Sequence, residues 1–205
     1  MLGEQVVSLA HAHKPARARS AHLQQPGSRQ YGFTLVELIV TVTVIGVLAT
    51  LAVPSFTKSV EKRRLVAAAE AVYDQVQFAR TESLKQARDL LVDATTDGST
   101  GWCVGISANT GGCNCSTTGS CVITQGTTGN IEKTLKSENF TNVRMTNSSF
   151  ECVFNRLRGT LEGATQTFVL KSPSDMEIRV TVSALGVVRV CSPTGAHNVG
   201  GYPGC

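Results

Sequence analysis

One carboxylate stands out in the N-terminal part of the chain because it lies inside a long apolar segment. Glu37 is the only charged side chain between Gly32 and Phe56. An acidic side chain at mid-bilayer costs about 2.5–3.5 kcal/mol, and less near the membrane ends, so Glu37 needs a partner. Cleavage between Gly32 and Phe33 would supply one. The new α-amino group of Phe33 would lie one helical turn from Glu37, at the hydrated end of the membrane segment.

The residues before Phe33 have the composition of a cytoplasmic leader. Residues 1–32 carry one acidic side chain and four basic ones, so only +1 of the net charge of +4 remains for the rest of the chain. The basic residues are Lys14, Arg17, Arg19 and Arg29. The positive-inside tendency therefore predicts that the leader is cytoplasmic and that residues after Phe56 are exported. An alternative is a disordered tail or a start codon set too early, because the leader has no periodic pattern.

The apolar segment exceeds the ~20 residues that a transmembrane helix needs. It differs from a secretory signal peptide, whose apolar core is shorter and is followed by a cleavage site with small residues. Beyond Pro54, apolar residues recur at steps of three and four, which predicts an amphipathic helix. They are Leu65, Ala69, Val72, Val76 and Ala79. We predict one helix from Phe33 to about Arg88, kinked at Pro54 and roughly 80 Å long.

A charged cluster follows the apolar segment. It comprises Lys58, Glu61, Lys62, Arg63 and Arg64. A helix surface that faces solvent or lipid headgroups accounts for this cluster better than a nucleic-acid site does.

After Leu91 the composition changes to Gly, Ser, Thr, Asn and short β-branched runs, which predicts a sheet-rich head and an α+β fold. The predicted strands are Leu90–Ala94, Trp102–Ile106, Cys121–Thr124, Val143–Met145, Glu151–Phe154, Thr167–Leu170, Glu177–Val182 and Val187–Cys191. The alternation in Glu177–Val182 predicts one face on the helix and one face toward solvent or a partner. The stretch between Asn109 and Asn130 is predicted to be a long hairpin loop.

Seven cysteines, all after residue 100, belong to the exported part, where disulfides are expected. Because the number is odd, at least one thiol is free, intermolecular or otherwise engaged. A Cys191–Cys205 bond would close the C-terminal tail, and two of the cysteines between Cys103 and Cys121 would pin the long hairpin. Zinc on Cys103, Cys113, Cys115 and Cys121 is the alternative, but the one-residue spacing is tighter than in structural zinc sites. No metal is therefore expected.

Catalytic signals are weak. His197 is the only histidine after the leader, and it lies in a Gly-rich tail. No Ser/His/Asp arrangement and no nucleotide-binding fingerprint can be assembled, so we expect no enzyme and no cofactor.

The run from Gly32 through Phe33 to Glu37, followed by an apolar helix, resembles the processing site of type IV prepilins and type II secretion pseudopilins. The resemblance implies that a prepilin peptidase cuts after Gly32 and that Phe33 is methylated. It also implies that Glu37 pairs with the N-terminus of a neighbouring subunit. An ordinary signal anchor that carries a glutamate by chance is the alternative.

The head is similar to the FimT/GspH group of minor pilins and pseudopilins, and a tail with Cys191 and Cys205 resembles the FimT branch. The resemblance covers Gly32 to about Asp93, including Phe78–Lys85, and then Trp102, Phe154–Gly159 and Val182–Cys191. The resemblance implies a type IV pilin-like fold, in which a long N-terminal helix packs on an antiparallel β-sheet head. Residues 1–32 would be the cleaved leader, 33–56 the transmembrane and assembly helix, and 57–205 the amphipathic helix end with a periplasmic head.

FimT-like minor pilins bind extracellular DNA through a C-terminal Gly-Arg-x-Arg element. This chain has Gly186, Val187, Val188 and Arg189 there, so the first arginine is missing. Several cations on one surface are needed to neutralise phosphates. The candidates are Arg189, Arg179, Arg156, Arg158 and Lys171. Arg156 and Arg158, two apart, would point the same way on a strand. Ordinary surface charge is the alternative.

The resulting expectation is a FimT-like minor pilin of the inner membrane with one membrane span and a periplasmic head. It would assemble into the pilus and support pilus biogenesis, extracellular DNA binding for natural transformation, or both. Its partners would be prepilin peptidase, other pilins or pseudopilins, the inner membrane and DNA. A GspH-like pseudopilin of type II secretion is the first alternative. An envelope enzyme on a pilin-like anchor is the second, and the lack of a second histidine or a paired acid site in the head weighs against it.

Overall fold

The computed structural model describes residues 32–97, 100–124, 129–147 and 150–205. The predicted leader, apart from Gly32, lies outside the described residues. The chain divides into two units, Met1–Val44 and Ile45–Cys205, and the second unit holds the whole sheet-rich head.

Helix α1 extends from Leu35 to Gln86, within two residues of both predicted ends. At its start, the Thr34 hydroxyl accepts a hydrogen bond from the Glu37 amide at 3.2 Å, as an N-cap residue does. At its end, Ala87 has a φ of 49° and the Arg88 amide donates to the Ser83 carbonyl at 3.2 Å. This arrangement is a Schellman motif, which satisfies the last carbonyls of the helix.

The predicted kink of α1 is present. No single helix of the described chain is long and apolar enough to cross a membrane, and the parts Leu35–Thr50 and Ser55–Gln86 meet that requirement only together, across a bend. The bend falls at residues 51–54, which stay helical and include Pro54, where the kink was predicted.

Ten strands and one short 3-10 helix follow α1 in the described chain. The strands are β1 Leu90–Thr96, β2 Trp102–Ser107, β3 Val122–Thr124, β4 Asn130–Lys136, β5 Arg144–Met145, β6 Phe150–Phe154, β7 Leu161–Glu162, β8 Gln166–Lys171, β9 Glu177–Val182 and β10 Val188–Cys191. The 3-10 helix is Ser137–Asn139. They form a six-stranded sheet in the order β3-β4-β2-β1-β6-β7 and a four-stranded sheet in the order β10-β9-β8-β5. All strand pairs are antiparallel.

All eight predicted strands are confirmed, with ends that differ from the prediction by at most two residues, and β4 and β7 were missed. Strand β4 carries Lys133 and Lys136 and is half-buried along most of its length, so it has no clean alternation. Strand β7 has only two residues, which is too short for any pattern.

The core forms where α1 meets both sheets. The predicted apolar stripe of α1 is fully buried: Leu65, Ala69, Val72, Val76 and Ala79 are all 0% exposed. It packs with inward side chains of the six-stranded sheet, such as Val92 and Val104, and of the four-stranded sheet, such as Phe168 and Val180. Burying a Val or Leu side chain stabilises a fold by about 1.5–3 kcal/mol, so this stripe fixes the head on the helix.

The C-terminal tail after β10 also returns to α1. A disulfide joins Cys191 to Cys205, the pairing considered from the sequence. The Lys62 ammonium donates to the Gly200 carbonyl at 2.7 Å, and the Tyr202 hydroxyl donates to a Glu70 carboxylate oxygen at 3.4 Å. Lys62 is therefore half-buried. The sequence had predicted that this side chain faces solvent or lipid headgroups.

Four cysteines form two further disulfides, Cys103–Cys115 and Cys113–Cys121. They pin the loop between β2 and β3, as expected, and they overturn the zinc alternative because disulfide sulfurs are not thiolate ligands. Cys152 is the free cysteine, and burial raises the pKa of its thiol to about 12.

A close backbone contact joins the end of α1 to two turns of the head. The Arg80 guanidinium Nε donates to the Gly159 carbonyl at 3.0 Å, and Gly159 lies in the turn between β6 and β7. Gly186, in the turn between β9 and β10, has a φ of +76° and lies against the same carbonyl, where a Cβ would overlap it. Both the conformation and the approach therefore require glycine at position 186.

We predict that Gly186→Ala destabilises the head more than Gly119→Ala. Gly119 has nearly the same φ, +77°, but no atom lies within 4 Å of its added Cβ. Both variants carry the ~1–2 kcal/mol cost of a left-handed alanine, and Gly186→Ala adds the overlap with the Gly159 carbonyl, about 1–3 kcal/mol. Urea denaturation with the disulfides intact measures the difference. An equal decrease in the free energy of unfolding for the two variants would show that the Gly159 carbonyl moves aside at no energetic cost.

Candidate functional site

The predicted processing site lies at the exposed start of α1. Gly32 and Phe33 precede the helix, and Phe33 is 83% exposed. The Glu37 side chain is exposed in the first turn, where a negative charge is favourable to the helix dipole. The Thr34 cap starts the helix directly after Phe33, so a new amino group on Phe33 would emerge at the helix end.

The surface around Glu37 is apolar. The described large apolar side chains of α1 from Leu35 to Phe56 are at least 52% exposed. An apolar helix surface of this length needs a membrane or other protein to cover it.

Three of the five candidate DNA-binding residues lie on one face of the four-stranded sheet. Lys171, Arg179 and Arg189 occupy positions on β8, β9 and β10 that alternate with buried residues such as Leu170, Ile178 and Val188. Arg189 lies opposite Thr181, and Arg179 lies opposite Cys191. Arg179 and Arg189 are therefore diagonal neighbours on the same face.

A buried glutamate, Glu177, forms ion pairs with two of these cations. One Glu177 carboxylate oxygen accepts from Arg179 Nε at 2.6 Å, and the other lies 3.1 Å from Lys171 Nζ. Burial acts to raise the pKa of Glu177, but the hydrogen bonds from Arg179 and Lys171 outweigh it and hold the pKa below its usual range. Glu177 is thus ionised at neutral pH and offsets part of the positive charge. Arg189 is exposed and forms no ion pair in the described part of the chain.

The same face contains a fourth cation that the sequence reasoning missed. Arg144 on β5 lies opposite Lys171 and pairs with Asp175 at 3.4 Å. Its position between buried Val143 and Met145 was a signal for an outward side chain. With Glu177 and Asp175 counted, four cations and two anions leave this face a modest positive charge.

The prediction that Arg156 and Arg158 point the same way on a strand is wrong. Strand β6 ends at Phe154, and both arginines lie in the turn that leads to β7. The Asn155 side chain and backbone hold this turn, because they accept hydrogen bonds from the amides of Leu157 and Gly159 at 2.9 and 2.8 Å. Both arginines are exposed, but they belong to the other sheet and do not share the face that carries Arg189.

Two further places have polar character. A cleft of about 720 Å³ lies between the β1–β2 turn and the disulfide-pinned loop. Two of its hydroxyls already accept hydrogen bonds from backbone amides, such as that of Ser137 from the Trp102 amide at 3.1 Å. His197 is exposed, and its Nδ1 lies 2.7 Å from the Asp175 carbonyl. Among the described residues, no group of three or more His, Cys, Asp and Glu side chains is arranged to hold a metal ion.

Family models match both the N-terminal motif and the head. The family model of the type II transport protein GspH matches residues 68–186, and that of the prokaryotic N-terminal methylation motif matches residues 27–53. The GspH match ends at Gly186, so Arg189 and the disulfide-closed tail lie beyond it. No curated protein sequence matches the chain.

Two crystal forms of the type IV minor pilin FimU from Pseudomonas aeruginosa (strain PAO1) are similar structures. One is 18% identical with a TM-score of 0.43, and covers 69% of this chain and 96% of FimU. The other is 15% identical with a TM-score of 0.41, and covers 66% and 97%. Since the GspH model spans more than half of the chain and the methylation motif precedes it, this protein belongs to the GspH family of pilin-like proteins.

Proposed function

We propose that this chain is a FimT-like minor type IV pilin that assembles through the N-terminal part of α1. Residues 1–32 are the leader that prepilin peptidase removes after Gly32, and Phe33 is then methylated. Residues 33–56 span the inner membrane before assembly, and residues 57–205 form the end of the helix and a periplasmic head. The observation that carries this proposal is the methylation motif at the start of an exposed apolar helix whose second half is buried in the head.

Glu37 directs assembly by electrostatics. Its exposed carboxylate lies among apolar side chains that must enter a membrane or a filament core, where an unpaired charge is costly. A protonated amine on Phe33 of a neighbouring subunit removes that cost by forming a charge-assisted hydrogen bond. The chain would therefore dock at the depth and register that bring the two groups together.

We predict that Glu37→Ala leaves cleavage after Gly32 intact and lowers incorporation into the filament at least tenfold, because the buried amine of the neighbour loses its partner. Thr41→Ala is the matched control, since the Thr41 hydroxyl donates only to the Leu38 carbonyl of its own helix, at 2.9 Å. Immunoblotting of sheared filaments and of membranes measures incorporation and cleavage separately. Unchanged incorporation of the Glu37→Ala chain would refute this role.

We also propose that the head contacts DNA, with Arg189 as the main cation. Arg189 is exposed and unpaired on the sheet face, whereas Lys171 and Arg179 share Glu177. Arg156 and Arg158 supply further charge from the β6–β7 turn. Because Val187 replaces the first arginine of the Gly-Arg-x-Arg element, fewer phosphates are neutralised, so binding should be weak and its salt dependence smaller than that of an intact element.

A salt titration of DNA binding by the detergent-solubilised mature chain tests this role. Each phosphate contact contributes about 0.7–0.9 to the slope of log affinity against log salt concentration. We expect Arg189→Gln and the double variant Arg156→Gln/Arg158→Gln to lower both the affinity and the slope. The double variant Arg144→Gln/Asp175→Asn is the control, because it removes an ion pair without changing the net charge of the face, and it should change binding little. Absence of binding by the folded chain would leave a purely structural subunit.

We predict that Glu177 also makes the stability of the head pH-dependent. Its folded pKa lies below the unfolded value, so its ion pairs stabilise the head above the unfolded pKa, near 4.5. This stabilisation is lost as the pH falls through the lower folded pKa. In thermal unfolding experiments, the melting temperature should fall less between pH 7 and pH 3 for Glu177→Gln than for the wild type. A wild-type and a Glu177→Gln protein with the same change in melting temperature would show that Glu177 contributes nothing to this pH dependence.

At neutral pH, Glu177→Gln should also bind DNA more tightly, because Arg179 and Lys171 lose their counter-charge.

A type II secretion pseudopilin is the second candidate, favoured by the match to the GspH family. Both candidates share the N-terminal assembly mechanism and differ in the assembly that contains the chain. Deletion of the chain separates them, since loss of piliation or transformation indicates a pilus subunit and loss of protein secretion indicates a pseudopilin.

A further inference from the structure

The exposed large apolar side chains of the head lie together. Beyond Phe56, four such side chains are exposed in the described chain: Leu84 at 43%, Leu157 at 77%, Leu185 at 72% and Val187 at 41%. Single exposed apolar side chains are common on soluble surfaces. Here, however, all four belong to the end of α1, the β6–β7 turn and the β9–β10 turn, which meet at one place.

The contact between Gly159 and Gly186 brings these three segments together. A Cβ on Gly159 would lie 3.0 Å from Leu84 Cδ1, and a Cβ on Gly186 would overlap the Gly159 carbonyl. Leu157 lies two residues before Gly159, while Leu185 and Val187 flank Gly186. The Leu161 amide also donates to the Ala184 carbonyl at 3.0 Å, which holds the two turns side by side. We call Leu84, Leu157, Leu185 and Val187 the apolar patch.

Cations lie within a few residues of the apolar patch along the chain. Lys85, Arg88, Arg156 and Arg158 are all exposed, and we call them the basic rim. Within the described residues, only Lys85 of the rim forms an ion pair, with Glu82 at 3.8 Å. The nearby Asp89 is half-buried and accepts a hydrogen bond from the Arg156 amide at 2.8 Å. The guanidinium groups of the rim are therefore available to an external partner.

We propose that the apolar patch and its basic rim form a docking surface for a different subunit of the same assembly. The matching surface of that subunit has an apolar centre surrounded by Asp and Glu side chains. This proposal rests on the assembly function proposed above and adds the place and chemistry of one contact. An apolar centre within a charged rim is the usual anatomy of a protein interface, and charge complementarity fixes its partner and register.

Other occupants fit the patch less well. A second copy placed face to face would set two basic rims against each other, and such like-charge pairing is unfavourable. DNA would pair with the rim, but its sugar-phosphate backbone offers little apolar surface to cover Leu157 and Leu185. An acidic protein surface with an apolar centre satisfies both parts of the site.

Photocrosslinking in cells that assemble the full chain tests the proposal. A photoreactive phenylalanine analogue replaces Leu157 in one variant and Leu185 in a second. The control variant carries it at Asn109, which is exposed in the disulfide-pinned loop. We expect positions 157 and 185 to give an adduct with another pilin-type subunit, attached beside Asp or Glu residues of that subunit by mass spectrometry. The control should not give this adduct.

Charge reversal gives the second measurement. In the chain with the analogue at position 185, Arg156→Glu/Arg158→Glu should lower the adduct yield at least tenfold. Lysine at the acidic positions of the partner should restore it. Leu157→Ser/Leu185→Ser should weaken association of the two purified subunits in detergent to a similar extent. The melting temperature of the chain should not change, since both leucines are exposed.

Incorporation into the filament is measured in the same cells, so that the two proposals fail separately. A chain that is incorporated but gives no subunit adduct at 157 or 185 overturns the docking surface and leaves the assembly function standing. An adduct only with a second copy of this chain, or only with DNA and with no other subunit, also overturns it. A chain that is processed but never incorporated removes the proposed assembly function and this docking surface with it.

Discussion

The burial of one apolar stripe of α1 between two sheets is the constraint on which the head depends. Ala68 and Ala69 are small enough for the sheets to approach the helix closely, and Leu65, Val72 and Val76 fill the space between them. Close packing of this kind tolerates little change in volume. The same helix continues toward its N-terminus without such cover, so one element is a core helix at one end and an exposed apolar surface at the other.

This division assigns different physical roles to the two ends of the chain. The N-terminal end carries one carboxylate, Glu37, on an apolar surface, which is suited to pairing with a single amine during assembly. The head end carries a cationic sheet face, partly neutralised by Glu177, and a separate apolar patch with a basic rim. A sheet face of modest positive charge suits weak polyanion binding, whereas the patch suits a protein partner.

Disulfides and backbone contacts replace a larger core at the edges of the head. Two disulfides hold the polar loop after β2, and a third closes the tail that returns to α1 at Lys62 and Glu70. Closing such loops reduces the conformational entropy of the unfolded chain, an effect of about 2–4 kcal/mol for each bond. The Gly159–Gly186 contact joins the β6–β7 and β9–β10 turns in the folded state alone, without a covalent bond.

The sequence by itself determined the features that depend on local periodicity and composition. These are the helix with its kink at Pro54, eight of ten strands, the α+β class and the N-terminal motif at Gly32, Phe33 and Glu37. Side-chain spacing carries that information because neighbours along the chain share one element. Only the tertiary structure decided which distant residues meet. It paired Glu177 with Arg179 and Lys171, set Arg144 beside them, and moved Arg156 and Arg158 into a turn. It also gathered Leu84, Leu157, Leu185 and Val187 around two glycines, because strand register and turn geometry depend on contacts between residues far apart in the chain.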